Sequence, residues 1–145
     1  MNFVLTQKLK DYGFNERAMS EADFYTICES ENIKVIETDA PTSFYFSVEG
    51  NHFIIIKKSL KGLRKTFSMF HELAHYFLHG GDHLSRAYFY GMLKSKNEFE
   101  ADALAVIALL PRKSLKSFDF LEEHPNRFAR KLYQDRQKLE FLYGV

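Results

Sequence analysis

The five residues His71-Glu72-Leu73-Ala74-His75 constrain this chain more than any other stretch. On a helix, four residues advance almost one 3.6-residue turn, so His71 and His75 lie on one face, one above the other. Two imidazoles presented in that way can share a metal ion, and Zn²⁺ is the usual occupant. Glu72 follows the first histidine, so its carboxylate leans over the open side of such an ion and stays out of its ligand shell. From there it can take a proton from water that the metal has made acidic. The flanking periodicity agrees: Leu63, Phe67, Phe70, Leu73, Ala74 and Phe77 recur every three or four residues and predict a helix over residues 62–79. The plain alternative is a core helix whose two histidines tip an apolar stripe.

A catalytic zinc site takes three protein ligands and leaves one position for water or substrate. His79 shares the stripe, but eight residues separate it from His71, roughly 12 Å of regular helix against zinc–nitrogen bonds of about 2 Å. A third histidine six residues after the second would stand at position 81, which is Gly81. His83 is reachable only through a sharp turn at Gly80-Gly81. Glu98, in Asn97-Glu98-Phe99-Glu100-Ala101-Asp102, is the better candidate, as in zinc proteases with two histidines and one glutamate. Asp102 is four residues on and shares its face, placed to accept the free N–H of a ligating histidine and fix its tautomer. Glu100 is the rival, turned roughly 160° from Asp102 on a regular helix.

The rest of the chain predicts an α+β fold. A short amphipathic helix is read over residues 3–12, ending near Gly13. A second starts at Ser20, which caps it with Asp23, and places Phe24, Ile27 and Cys28 in the core. Three strands follow, over residues 34–38, 43–48 and 52–57, the last two joined by a turn at Glu49-Gly50-Asn51. They predict a small three-stranded antiparallel sheet packed on the helical His-Glu-x-x-His core, with His52 at the surface beside the turn. Tyr88-Phe89-Tyr90 reads as a loop or short strand over the site. A helix over residues 97–110 stops before Pro111, whose ring disfavours helical geometry at the preceding residue. Residues 114–120 read as a short turn of helix. A C-terminal helix after Pro125-Asn126 offers Phe128, Leu132, Leu139 and Leu142 to the core, and its alternating charges, Arg136 among them, read as a solvated face. No linker or repeat stands out, so one domain is expected over residues 1–145.

Composition narrows the function classes. The 145 residues are 46% hydrophobic and 27% charged, which suits a chain that buries a core. Fifteen Phe and eight Tyr are read as core packing, in preference to a platform for stacking bases. A net charge of +1 gives no footprint for nucleic acid or a membrane surface. The cations Lys57, Lys58, Lys61, Arg64 and Lys65 read as a solvated face, with an acidic partner as the alternative. The lone cysteine, Cys28, precludes an intrachain disulfide and fits a reducing compartment. The N-terminus lacks the pattern of a signal peptide, and the longest apolar run is far too short to cross a bilayer. A soluble, cytoplasmic protein is expected.

The residues His71 to His79, then Glu98-Phe99-Glu100-Ala101-Asp102-Ala103-Leu104-Ala105, closing at Leu109-Leu110-Pro111, resemble the ImmA/IrrE family of metallopeptidases. That family shows a His-Glu-x-x-His helix, then a Glu-x-x-Ala-Asn/Asp-x-Phe-Ala helix ending in Leu-Leu-Met-Pro. The match is strong over about residues 60–111. Leu104 stands where Phe is usual and Leu110 where Met is usual, both apolar exchanges that touch packing. The resemblance implies His71, His75 and Glu98 as zinc ligands, Glu72 as general base and Asp102 as the acid behind a ligand.

It also implies the protein partner: a DNA-binding transcriptional regulator of helix-turn-helix type, cleaved to relieve repression, as in members carried by phages and mobile elements. Tyr76, Tyr88, Tyr90 and His83 are open as oxyanion donors. An extended substrate is expected to add to a sheet edge at residues 53–57. The competing expectation is a non-proteolytic antirepressor or toxin–antitoxin partner with a structural or vestigial metal. A complete Glu72 argues against it, because a structural site needs no base.

Overall fold

Capping chemistry sets where the first helices begin. Thr6 accepts the Leu9 N–H at the start of α1 (Gln7–Tyr12), and Gly13 ends it in the left-handed region at φ 101°. Ser20 and Asp23 form a reciprocal capping box at the start of α2 (Glu21–Ser30), with backbone-to-side-chain bonds of 2.8 and 3.2 Å. The computed structural model describes the backbone of residues 5–79 and 90–145, and the side chains of 5–79 and 96–145. Gly80-Gly81, His83 and Tyr88-Phe89 lie outside the described residues, as does the side chain of Tyr90.

The fold is α+β. Strands β1 (Ile33–Thr38), β2 (Phe44–Val48) and β3 (Asn51–Lys57) form a small mixed sheet in the order β1-β3-β2. β2 and β3 are the expected hairpin, closed by Glu49 and Gly50, both at positive φ, the backbone of a type I′ turn. β1 departs from the expected antiparallel pairing and runs parallel to β3, with Val35 opposite Ile54. Residues 39–43 are the reason. They carry the chain from the end of β1 across the end of β3, so β2 starts on the far side. There the Ser43 hydroxyl accepts the Lys57 N–H, and Lys58 donates its N–H to the Thr38 carbonyl.

This order corrects the expected substrate edge. β3 is the central strand, paired on both sides, so residues 53–57 offer no free edge. The free edges belong to β1 and β2.

Alternation along the strands decides what the sheet buries. Ile54 and Ile56 are fully buried on the face that packs on α3 (Gly62–His79), while α2 packs on β1 and α3. Phe24 and Phe70 meet edge to face, with ring centroids 5.9 Å apart. Cys28 is buried among these core residues, and burial pushes its thiol up to about 12, so it packs as a small hydrophobe. On α3, Lys65 sits 2.9 Å from Glu37 of β1, an ion pair within the cation cluster.

The next helix, α4 (Tyr90–Leu109), begins seven residues earlier than Asn97, in the stretch that reads as loop or strand. Met92, Leu93, Lys94 and Lys96 are good helix formers, and no proline interrupts them. After Pro111 come a 3₁₀ turn (Arg112–Lys116), α5 (Asp119–Glu123) and the C-terminal α6 (Arg127–Tyr143).

The chain falls into two compact units, Ser20–Ala105 and a second made of Met1–Met19 with Val106–Val145. In the second, α6 buries Ala129, Leu132, Tyr133, Arg136 and Leu139, a stripe with helical spacing. Leu142, expected in the core, is 63% exposed, and Arg136, expected in solvent, is wholly buried. Arg136 belongs inside because acceptors converge on it. Nε donates to the Leu110 carbonyl, and one Nη donates to Asn15 Oδ1 at 2.9 Å and to the Val145 carbonyl at 2.6 Å.

Candidate metal centre

One turn of α3 separates His71 from His75, and their Nε2 atoms lie 3.2 Å apart. α4 brings Glu98 to both: one carboxylate oxygen is 3.0 Å from His71 Nε2 and the other 3.0 Å from His75 Nε2. Donors at the corners of a tetrahedron around zinc, with bonds of about 2.0–2.1 Å, stand about 3.3 Å from one another. The two nitrogens already hold that spacing, and Glu98 brings one oxygen to each of them at a similar distance. Two neutral imidazole nitrogens and a carboxylate are also a set that zinc accepts.

Asp102, one turn beyond Glu98, places Oδ1 2.8 Å from the other ring nitrogen of His71, Nδ1. That carboxylate favours the tautomer with its proton on Nδ1, which leaves the Nε2 lone pair facing the cluster. Burial opposes charge on His71. Asp102, Glu72 and Glu98 together outweigh it, and its pKa is raised.

Among the described residues of this unit, Glu72 is the buried acid, 7% exposed. With His71 and His75 it forms a cluster whose donors all lie within 4.8 Å of one another, so two carboxylates compete for a place beside the imidazoles. Distance separates them. Glu72 Oε1 stays 4.0 Å from His71 Nε2, while Glu98 reaches both histidines at 3.0 Å. The Tyr45 backbone N–H of β2 donates to the Glu72 carboxylate and holds it there. Burial, then the nearby charges of Glu98 and Asp102, push Glu72 up to about 7, against the pull of His71 and the Tyr45 N–H.

His79 stands apart from the cluster. Its Nδ1 is 3.2 Å from His75 Nδ1, on the ring edge opposite Nε2, and its Nε2 is 3.8 Å from Glu100. Glu100 thus lies beside His79. Tyr76 donates its hydroxyl to Glu31, the residue that caps the C-terminus of α2, at 2.9 Å.

The site is asymmetric. The side chains on α3 are sheltered, His71 at 15% and His75 at 13% exposed, while Glu98 and Asp102 on α4 are about half open.

Two contacts escaped the sequence. The Tyr45 N–H that holds Glu72 carries no side-chain signal at all. His52, read as a surface residue, is half-buried; its Nδ1 is 2.8 Å from the Tyr45 hydroxyl and its ring meets Tyr76 edge to face. Its signal was present in the strand alternation, because His52 shares parity with the buried Ile54 and Ile56.

Among known proteins, the model of the IrrE N-terminal-like domain, the peptidase M78 family, matches residues 28–132. No curated protein and no solved structure matches the chain. The match takes in both helices that build the cluster and the sheet packed on α3, well over half of the sequence. By that match the chain belongs to the ImmA/IrrE metallopeptidase family.

Proposed function

We propose that this protein is a zinc-dependent endopeptidase that cleaves one specific protein partner, a helix-turn-helix transcriptional repressor. The observation that carries the hydrolase reading is the convergence of His71 Nε2, His75 Nε2 and Glu98 at 3.0–3.2 Å beside a separately held Glu72. In this reading His71, His75 and Glu98 hold the ion, and Asp102 orients His71. Zinc bound there supplies Lewis-acid chemistry, polarising a carbonyl and acidifying water.

Glu72 takes the proton of the attacking water and delivers it to the leaving amine. The same group must accept and then release a proton in one cycle. An extended substrate lies along β2, the edge strand that packs on α3, and protection of backbone amides in Phe44–Val48 by bound peptide tests that placement. The repressor as substrate, and a cytoplasmic setting, rest on family membership. No helix among the described residues is long and apolar enough to cross a membrane.

The test is metal content by mass spectrometry on wild type, Glu98→Gln, Glu100→Gln and Glu72→Gln, alongside cleavage of purified helix-turn-helix repressors. About one zinc per chain, kept by Glu72→Gln and Glu100→Gln and weakened in Glu98→Gln, is the expected pattern. Cleavage that persists in Glu72→Gln defeats the mechanism.

A further inference from the structure

The sheet has two faces, and α3 covers one. On the other, Ile36, Phe44, Phe46, Val48, Phe53 and Ile55 point outward in adjacent rows, by the registers Ile36–Ile55–Phe44 and Phe53–Phe46. Ile36, Phe44 and Val48 are 45%, 41% and 52% exposed around half-buried Phe46 and Phe53 and buried Ile55, a small apolar face. Phe46 and Phe53 stack on each other, with centroids 4.9 Å apart and ring planes 12° apart, which makes the middle of the patch flat and stiff. The charges on this face have one sign. Lys34 and Lys57 stand at outward positions at opposite ends of the sheet, and no outward strand position carries a carboxylate. Glu37 points to the opposite face, where Lys65 holds it.

We infer that this face docks an acidic amphipathic helix of a protein partner, with an apolar ridge over Phe44, Phe46 and Phe53 and carboxylates reaching Lys34 and Lys57. Size argues against a second copy of the chain. Three strands about 4.8 Å apart, each presenting about 17 Å, span roughly 250 Å². A stable dimer needs about 800 Å² per partner; a helix about 10 Å across matches the width of the patch, and so small a contact makes a transient complex. Two facing copies would also bring lysines toward lysines.

Backbone chemistry argues for a helix over an extended segment. The face offers side chains only, because the strand amides point within the plane of the sheet. A helix bonds its own backbone, and an extended segment laid there would leave its amides unpaired. A single-stranded nucleic acid is disfavoured because Phe46 and Phe53 occupy each other's ring faces, and two corner lysines make no track for a phosphate backbone.

The inference is independent of the peptidase reading: loss of zinc binding defeats that reading and leaves this one standing. The experiment is an NMR titration of the full chain with a synthetic helix of about 18 residues, leucines on one stripe and glutamates flanking them. The controls are the same helix with lysines replacing the glutamates, and an oligo-dT strand. Amide shifts confined to the three strands are expected with the acidic helix, with affinity falling roughly tenfold in Lys34→Glu/Lys57→Glu. Lys34 is exposed and Lys57 half-buried, and neither belongs to the core. Three results overturn the inference: equal binding of the lysine helix, the same amides moved by oligo-dT, or a concentration-dependent dimer in sedimentation that Phe44→Ser abolishes.

Discussion

Two buried charges, one in each compact unit, are handled in opposite ways. Arg136 is wholly inaccessible and gives Nε and one Nη to the Leu110 carbonyl, Asn15 Oδ1 and the Val145 carbonyl, while its other Nη has no hydrogen-bond partner among the described residues. Burial lowers it to about 10, so it stays charged at neutral pH, clamped by neutral acceptors. Glu72 is 7% exposed, bonds one backbone N–H, and faces two further carboxylates. Its pKa rises to about 7. A buried charge surrounded by acceptors holds chain segments together. One crowded by further carboxylates is poised to exchange a proton.

The largest expected effect breaks the functional half of that comparison. Glu72→Gln should lower the rate of partner cleavage by roughly 10²- to 10⁴-fold while zinc content holds at wild-type level, measured on one preparation. Next comes the structural half. Arg136→Ala should destabilise the protein by about 3–5 kcal/mol in chemical denaturation, because the convergent carbonyls lose their donor. Arg136→Lys should recover only part of that loss, since an ammonium lacks the planar fork.

A pH series on metal-free protein sharpens the contrast. Glu72 has a folded pKa raised from 4.5 to about 7. The folded state therefore binds its proton more tightly than the unfolded chain does. That contribution is complete below about pH 4.5 and is lost as pH rises through 7. Stability of Glu72→Gln relative to wild type should thus grow by about 3 kcal/mol between pH 4 and pH 8. A flat difference would show that Glu72 titrates normally. Arg136, charged throughout that range, should contribute no such window.

The smallest effect concerns the acid behind His71. Asp102→Asn should weaken zinc affinity by about 10- to 100-fold in a chelator competition, with the fold unchanged by circular dichroism. If affinity is unchanged, the 2.8 Å contact does not orient the ring.

Much of the candidate site is legible because helical geometry is local. A spacing of four residues places His71 over His75 and Glu98 beneath Asp102 whatever the rest of the chain does. The capping box at Ser20 and the Glu49-Gly50 turn are local too, and so are the elements they begin or close. His52 shows the limit of reading without alternation: its parity with Ile54 points inward, while its polarity points outward.

What the sequence by itself determined is therefore the set of short-range choices: an α+β chain, a His-Glu-x-x-His helix, a second acidic helix and a hairpin. Tertiary structure alone decided the rest. It set β1 parallel to β3, because residues 39–43 cross the sheet end. It brought Glu98 within 3.0 Å of both histidines, and it aimed the Tyr45 N–H at Glu72. It also buried Arg136 while leaving Leu142 in water. Each of these depends on groups far apart in the chain meeting at hydrogen-bond range. The polarity of a single residue does not encode that, since a charge belongs inside only where acceptors have already gathered.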